Sequence, residues 1–319
     1  MTVARAPFAF TDAAPGEIPW AALDRADHLR HDPVALGALW AQSRVLLLDA
    51  DGQALADAQR MPSTPRGEQL SEGPGGVGAA TFLGLDPEGE AWFSLEAALT
   101  AFDAPQRIDL RSAATLWPAF PASVFAQARA VQHWRNRHRF CGVCGSPVAM
   151  QRGGWLGVCG GCGIEHYPRT DPAVIVAVGD GDRILLGRQS SWPERRWSVI
   201  AGFVEPGESL EQAVAREVAE ETSLRVRSCH YLASQPWPFP SALMLGFIAQ
   251  AEPDEPRVTE ELEEARWFTV EEIRAAQARD DAAMDDGGPL LSPPISIARW
   301  LIEQWLARAC ATASSSGVR

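Results

Sequence analysis

The sequence predicts an α+β protein with more than one domain, and three observations lead to this prediction. The chain has 319 residues, about twice the usual length of a domain. Its first part alternates short apolar runs with polar turns. Its second part contains a strand pair followed by an amphipathic helix. We expect a small α+β domain at 1–125, a helix and cysteine-rich bridge at 126–167, a larger domain at 168–310 and a disordered tail at 311–319.

The composition excludes several classes of enzyme. All 28 basic residues are arginine, against 41 acidic residues, and the net charge is −13. Without a lysine ε-amino group the chain cannot be a Schiff-base aldolase, a pyridoxal-phosphate enzyme, a P-loop NTPase or a protein kinase. The negative charge disfavours nonspecific binding to nucleic acid. No apolar run reaches the roughly 18 residues of a membrane span, so we expect a cytoplasmic protein without a membrane partner.

In the first domain, strands are predicted at 44–49, 81–85 and 92–95. Apolar residues at helical spacing then predict a helix over 123–138, with Ser123 as its N-cap. The only basic stretch of the chain lies here: Arg129, His133, Arg135, Arg137, His138 and Arg139. This stretch is either a solvated helix face or a contact with a polyanion.

Two Cys-x2-Cys pairs follow the helix, and 14 residues separate them. The four cysteines are Cys141, Cys144, Cys159 and Cys162. Two such turns at this spacing favour a four-thiolate zinc site over disulfides or a single redox pair. Four thiolates fill the coordination shell of the ion, so we expect one structural Zn²⁺ per chain.

The second domain begins with a predicted hairpin at 173–178 and 183–187, and an amphipathic helix follows over 209–222. Ser209 is its predicted N-cap, and Gln212 completes a capping box. Helical spacing places three carboxylates on one face within a single turn: Glu217, Glu220 and Glu221. They indicate either a hard-oxygen site for Mg²⁺ or Mn²⁺ or a solvated acidic face.

A longer pattern surrounds these carboxylates. The pattern Gly202-x5-Glu208-x7-Arg216-Glu217-Val218-x-Glu220-Glu221-x-Ser223-Leu224 resembles the Nudix box, with Ser223 in place of the family's glycine. The four-cysteine ribbon before the box and the segment SQPWPFP at 234–240 after it resemble the NADH pyrophosphatase branch of the Nudix hydrolases. In that branch a serine is expected where this chain has Ala242. The resemblance implies an α/β/α sandwich with a mixed sheet, preceded by the zinc ribbon and a smaller N-terminal α+β domain.

The resemblance also implies a set of site residues. Mg²⁺ or Mn²⁺ ions would be held by Glu217, Glu220, Glu221, Glu261 and the carbonyl of Ala201. Arg216 would orient this cluster, and Glu220 or Glu221 would be the general base. The implied substrate contacts are Tyr167, Phe203, Gln235, Pro236, Trp237, Pro238, Phe239, Pro240, Ser241, Ala242 and Ala298.

The SQPWPFP segment also has a physical interpretation of its own. Its three alternating prolines remove backbone donors, which predicts a rigid, extended edge. Such an edge would hold Gln235, Trp237 and Phe239 either against a flat ring of the substrate or in the protein core.

The reaction implied by the resemblance is hydrolysis of the diphosphate bond of NADH or NAD⁺, giving NMN(H) and AMP. One alternative is removal of NAD caps from RNA 5′ ends by the same site. Another is a non-catalytic interaction module. The resemblance further implies a homodimer.

Overall fold

The computed structural model describes residues 9–10, 23–70, 76–281 and 287–316. These residues form two compact units. The first contains the described residues up to Thr170 together with Pro236–Ser241, and the second contains Asp171–Gln235 and the described residues from Ala242 onward.

The first unit is built on a five-stranded sheet between helices. Its strands are β1 (Arg44–Leu48), β2 (Ala54–Ala56), β3 (Thr81–Leu85), β4 (Ala91–Glu96) and β5 (Gln106–Ile108). Its helices are α1 (Asp27–Arg30), α2 (Pro33–Trp40), α3 (Leu110–Leu116) and α4 (Ala119–Arg137). The strand order is β3-β4-β1-β2-β5, and only the β1/β4 pair is parallel. Successive residues of β1 face opposite sides, so Leu46 packs with α4 while Val45 packs with α2.

Helix α4 begins four residues before its predicted start, at Ala119, and Pro118 is the N-cap. The prediction of Ser123 as the N-cap is wrong, since its hydroxyl lies inside the helix and donates to the carbonyl of Ala119 at 2.8 Å. Prolines suit the first turn of a helix, where backbone donors have no partner inside the helix. The apolar side of α4 is buried in the core of the first unit, so the helix crosses the predicted boundary between 125 and 126.

A small antiparallel ribbon follows α4. Its strands are β6 (Val148–Gln151), β7 (Leu156–Cys159) and β8 (Glu165–His166). The two Cys-x2-Cys turns flank β6 and β7, which places all four cysteines at one end of the ribbon.

The second unit contains a six-stranded mixed sheet. Its strands are β9 (Asp171–Gly179), β10 (Arg183–Arg188), β11 (Ile200–Phe203), β12 (Val226–Trp237), β13 (Ala242–Ala251) and β14 (Glu264–Thr269). The last two residues of β12, Pro236 and Trp237, belong to the first unit. Its helices are α5 (Leu210–Thr222), α6 (Val270–Asp281) and α7 (Ile297–Ser316). The order is β12-β13-β9-β10-β14, with β11 paired to β9. The β9/β13 pair is parallel, whereas β9/β10, β9/β11 and β10/β14 are antiparallel.

Helices cover both faces of this sheet. Val174 and Val176 of β9 pack with Val214 and Val218 of α5 on one face. On the other face α7 lies so close that a side chain added at Gly246 would be 2.9 Å from Ile297. The predicted α/β/α sandwich with a mixed sheet is confirmed.

Helix α7 continues to Ser316, so the predicted disorder is wrong for 311–316. Residues 311–316 contain neither glycine nor proline, so they include neither of the two residue types that most disfavour a helix. Residues 317–319 lie outside the described residues. Within the described part of the chain, none of the helices has the length and apolarity of a membrane span.

Candidate active site

Both ends of α5 are fixed by local structure. The Ser209 hydroxyl accepts from the backbone N–H of Gln212 at 3.3 Å, and the side-chain oxygen of Gln212 accepts from the backbone N–H of Ser209 at 2.8 Å. The predicted capping box is therefore confirmed. At the other end Ser223 adopts the left-handed conformation, with φ of 59°, where the Nudix box has its glycine. This serine preserves the helix end at a conformational cost of about 1 to 2 kcal/mol.

The three carboxylates of α5 occupy two environments rather than one. Glu217 and Glu221 are buried, with 8% and 5% of their surface exposed, while Glu220 is exposed. Residues four apart on a helix are separated by about 40° around its axis, whereas Glu220 lies about 60° to the other side of Glu217. Glu217 and Glu221 therefore face the sheet together, and Glu220 faces solvent.

Gly202 allows Glu217 to lie against the sheet. A Cβ at Gly202 would be 1.9 Å from the carboxyl carbon of Glu217, so any larger residue at this position would displace that carboxylate. Gly202 lies in β11 directly after Ala201, whose carbonyl is an implied metal ligand. The first glycine of the box is thus explained by close approach of a carboxylate to a strand.

Arg216 connects the acidic groups of the site. Its Nε and Nη2 donate to both oxygens of Glu208 at 2.6 and 2.9 Å. Its Nη1 donates to Glu217 and Glu220, each at 2.9 Å, and Nη2 also donates to the carbonyl of Phe203 at 2.9 Å. The bidentate pairing with Arg216 lowers the pKa of Glu208 to about 2. Glu208 is absent from the site residues that the sequence predicts, although its spacing to Arg216 in the box is a signal for such a role.

Glu221 has no cationic partner in the part of the chain that the structure describes. Among the described residues it forms no hydrogen bond or ion pair, and burial raises the pKa of this carboxyl to about 8, with further contributions from the charges of Glu217 and Glu261. The pKa of Glu217 is also raised by burial, and Arg216 opposes that shift. Buried carboxylates without enough positive charge near them fit a divalent cation, because hard oxygen ligands are those that Mg²⁺ and Mn²⁺ prefer.

The other implied contacts of the second unit differ in accessibility. Phe203 is 60% exposed at the end of β11. Ala242 begins β13 and is half-buried. Ala298 is buried at the start of α7, where its N–H donates to the Ser296 hydroxyl at 3.2 Å.

Gln235 does not present its amide to a ligand, and that part of the prediction is wrong. The residue is completely buried. Its Nε2 donates to the carbonyl of Ile295 at 2.8 Å, and its Oε1 accepts from the N–H of Ile297 at 2.8 Å. The amide satisfies backbone groups at the start of α7, because buried backbone donors and acceptors need partners.

The aromatic residues of the SQPWPFP segment belong to the first unit and contribute to its core. Trp237 and Phe239 form an edge-on pair with ring centroids 4.9 Å apart, and both pack against the core of that unit. The guanidinium of Arg111 lies 5.3 Å and 4.3 Å from the two ring centroids. The carbonyl of Pro238 accepts from Arg129 at 3.0 Å. These contacts favour the packing interpretation of the two rings.

The remaining members of the implied substrate set also lie in the first unit. Pro236 and Pro240 are exposed, and Ser241 is half-buried. Tyr167 is 52% exposed, and its hydroxyl donates to Glu165. That hydrogen bond raises the pKa of Tyr167.

The four cysteines of the ribbon form a second site. Their sulfur atoms all lie within 4.8 Å of one another, with Cys141–Cys162 at 3.7 Å and Cys144–Cys159 at 3.3 Å. Sulfurs around a tetrahedral Zn²⁺ are about 3.8 Å apart. Backbone N–H groups of Gly161 and Cys162 point at the Cys159 sulfur at 3.4 Å. None of the four is in a disulfide, and the geometry fits the predicted zinc site.

A capped helix with buried carboxylates on a mixed sheet is the arrangement that the Nudix resemblance implies, and the comparisons agree. The NUDIX domain family matches residues 169–287, and the NADH pyrophosphatase zinc ribbon domain matches residues 136–167. The NAD-capped RNA hydrolase NudC of Mycobacterium bovis is 41% identical over 292 residues, covering 89% of this chain and 92% of that protein. The chain therefore belongs to the Nudix hydrolases, in the branch that carries the NADH pyrophosphatase zinc ribbon.

Two further similarities were found. The mitochondrial NAD(P)H pyrophosphatase NUDT13 of Mus musculus is 35% identical, covering 73% of this chain and 73% of that protein. A crystal structure of a Nudix hydrolase from Nitrosomonas europaea has a TM-score of 0.38 and 24% identity, covering 48% of this chain and 96% of that one.

Proposed function

We propose that this protein is a divalent-metal-dependent hydrolase that cleaves the diphosphate bond of NADH or NAD⁺ to give AMP and NMN(H). The observation that carries this proposal is the buried carboxylate of Glu221, which lies beside Glu217 and has no cationic partner among the described residues. The names of the relatives support the substrate class, since an NAD(P)H pyrophosphatase and an NAD-capped RNA hydrolase both act on a nicotinamide dinucleotide.

Mg²⁺ or Mn²⁺ would be held by Glu217 and Glu221, with Glu220, Glu261 and the Ala201 carbonyl completing the set. Bound divalent cations would offset the charge of the diphosphate and make a water molecule more acidic. Arg216 positions Glu217 and Glu220, while its bidentate bond to Glu208 fixes its own orientation.

The reaction consumes one water molecule and needs no covalent intermediate. Glu220 or Glu221 accepts a proton from the attacking water. The water oxygen then bonds to one phosphorus, and the bridging P–O bond on the opposite side of that phosphorus breaks in line. The leaving phosphate departs as the second mononucleotide. Zn²⁺ in the four-cysteine site has no part in this step, because four thiolates leave no open coordination position.

The test is product analysis of the purified protein with NADH, with and without Mg²⁺ or Mn²⁺. We expect metal-dependent formation of AMP and reduced mononucleotide, and loss of about 10³-fold in kcat for Glu221→Gln. Glu271→Gln is the matched control, because Glu271 is an exposed glutamate on α6. Metal-independent turnover, or a Glu221→Gln variant with ordinary activity, would contradict the proposal.

A second candidate function is removal of NAD caps from RNA, favoured by the 41% identical relative with that name. RNA turnover that falls steeply with salt, beside NADH turnover that does not, would separate the two substrates. A non-catalytic role is disfavoured, because all three carboxylates of the box are present in α5.

We further propose a homodimer in the cytoplasm. The dimer is implied by the family resemblance, and light scattering of the purified protein tests it. Cell fractionation tests the location.

A further inference from the structure

The charge of this protein is distributed very unevenly. Residues 111–170 contain seven arginines and one acidic residue, Glu165, a net charge of +6. The rest of the chain carries −19. This positive segment consists of α3, α4 and the cysteine ribbon, all in the first unit. An isolated region of positive charge in an acidic protein is the usual electrostatic signature of a polyanion site.

Some of these arginines are committed to the protein itself. Arg129 donates to the carbonyl of Pro238, and Arg135 donates to the carbonyl of Ala79, each at 3.0 Å. Arg111 lies over the ring of Phe239. Two members of the basic stretch, Arg129 and Arg135, are therefore used for packing and do not form a polyanion contact.

Three other arginines remain available. Arg137, Arg139 and Arg152 are exposed, and none of their side chains has a hydrogen bond or an ion pair within the described residues. Arg137 and Arg139 stand at the end of α4, and Arg152 follows β6 of the ribbon.

Exposed aromatic rings accompany these cations. Phe140 is 59% exposed and Tyr167 is 52% exposed. Arg152 lies close enough to Tyr167 for its charge to act on the phenol. Together Arg137, Arg139, Phe140, Arg152 and Tyr167 are called the ribbon surface below. Cations beside flat rings are what single-stranded nucleic acid binds, through its phosphates and its bases respectively.

The ribbon surface is attached to rigid elements. The rings of His138 and His166 are 6.0 Å apart, which ties the end of α4 to β8. The N–H of Val148 in β6 donates to the carbonyl of Arg139 at 3.0 Å. The cysteine site at the end of the same ribbon holds the strands together, so little order has to be gained on binding.

We propose that the ribbon surface binds the RNA strand that follows an NAD cap. Arg137, Arg139 and Arg152 contact phosphates, and Phe140 and Tyr167 stack with bases. The inference rests on the proposed function and deepens it, since it gives capped RNA four contacts outside the set implied for free NADH: Arg137, Arg139, Phe140 and Arg152.

The direct test measures binding and not hydrolysis. The probe is an uncapped, fluorescently labelled single-stranded RNA of about 20 nucleotides, the upper end of common single-strand site sizes, titrated by anisotropy at several KCl concentrations. Each phosphate contact contributes about 0.7 to the slope of log K against log salt. The triple variant Arg137→Gln, Arg139→Gln, Arg152→Gln should lower that slope by about 2 and weaken binding at low salt at least about tenfold.

The matched control is Arg225→Gln, Arg274→Gln, Arg308→Gln, three exposed arginines of the second unit with the same total charge change. It should bind RNA as the wild type does. If both triple variants reduce the slope equally, only net charge matters, and the ribbon surface is not a site.

Hydrolysis assays separate this proposal from the proposed function. The ribbon variant should retain NADH turnover, while its KM for NAD-capped RNA rises at least about tenfold. If the wild type hydrolyses neither substrate but the binding result holds, the proposed function fails and the RNA site stands. If the ribbon variant binds RNA normally, the site is refuted whatever the activity. Loss of the dimer in Phe140→Ala with unchanged RNA binding would also refute it and identify the surface as a contact between two copies.

Discussion

The cysteine site of the ribbon and the carboxylate site of α5 both gather ligand atoms of negative charge, but they differ in completeness. In the ribbon, four sulfurs lie within 4.8 Å and receive backbone N–H groups. In α5, the buried carboxylate of Glu217 pairs with Arg216, which Glu208 already engages. The buried carboxylate of Glu221 has no ion pair among the described residues. A set of four thiolates completes an ion's shell and supports structure, whereas an unfinished oxygen set leaves room for substrate and water.

The largest effect on metal content and folding should come from removing one ligand of the four-cysteine site. Cys159→Ser should reduce bound zinc from one per chain to almost none and unfold the ribbon, because binding of a structural zinc contributes roughly 10 kcal/mol in small zinc domains. Metal analysis and hydrogen exchange of the ribbon amides measure both effects. The control is Cys229→Ser, which changes a half-buried cysteine outside the site. A Cys159→Ser protein that keeps its zinc would contradict the assignment of the four ligands.

The next effect should come from disturbing the unfinished site without removing a ligand. Gly202→Ala puts a methyl group where the Glu217 carboxylate lies, because a Cβ at this position would be 1.9 Å from the carboxyl carbon of Glu217. The carboxylate must move, and we expect kcat to fall about 10²-fold, because small displacements of positioned groups are costly. Steady-state kinetics with NADH measure this. Gly37→Ala, at an open position in α2, should leave activity unchanged. Equal activities of the two variants would show that the position of Glu217 is unimportant.

A smaller effect concerns pH. Burial raises the pKa of Glu221 from the ordinary 4.5 to about 8. Between pH 4.5 and 8 the folded protein keeps a proton on Glu221 that the unfolded chain has released. Without a bound cation, the contribution of Glu221 to the free energy of unfolding is therefore fully present below pH 4.5 and is lost as the pH rises through 8. Glu221→Gln should remove that loss and be more stable than the wild type at pH 8 by on the order of 2 kcal/mol.

Thermal melts from pH 5 to 9 without added Mg²⁺ or Mn²⁺ check this prediction, with Glu271→Gln again as the control. The wild type and the Glu221→Gln variant should diverge as pH rises, whereas the control should follow the wild type. Parallel curves for all three proteins would mean that ionisation of Glu221 does not destabilise the folded protein.

The smallest effect is expected at the end of α5. Ser223→Gly should raise the free energy of unfolding by about 1 kcal/mol, because glycine adopts the left-handed conformation without the penalty of a side chain. Ser223→Ala is the control, since it also loses the weak bond from the hydroxyl to the Arg257 carbonyl but keeps the strain. Denaturant unfolding should rank glycine above alanine. The reverse order would mean that the hydroxyl matters more than the backbone.

Much of the local structure at these two sites could be predicted from the spacing of residues alone. The cysteine site follows from two short turns, and the capping box of α5 follows from a rule that acts within a few residues. The mixed sheet and the sandwich followed from the family resemblance. Local signals succeeded where neighbours in the chain are also neighbours in space.

Other features depend on distant parts of the chain and could not be predicted. The sequence placed Glu217, Glu220 and Glu221 on one face, but burial of two of them depends on where β11 lies. Gln235 was expected to face a ligand, yet its amide satisfies backbone groups at α7, 60 residues away in the chain. Pro118 could have been recognised as the start of α4, because proline is favoured at helix starts.

The most direct test of the account is manganese binding, followed by electron paramagnetic resonance of free Mn²⁺. The wild type should bind Mn²⁺, and the double variant Glu217→Gln, Glu221→Gln should lose at least about tenfold in affinity while keeping one zinc per chain. Glu271→Gln should bind as the wild type does. A double variant that binds Mn²⁺ normally would contradict the claim that the two buried carboxylates of α5 form the site of the catalytic cation.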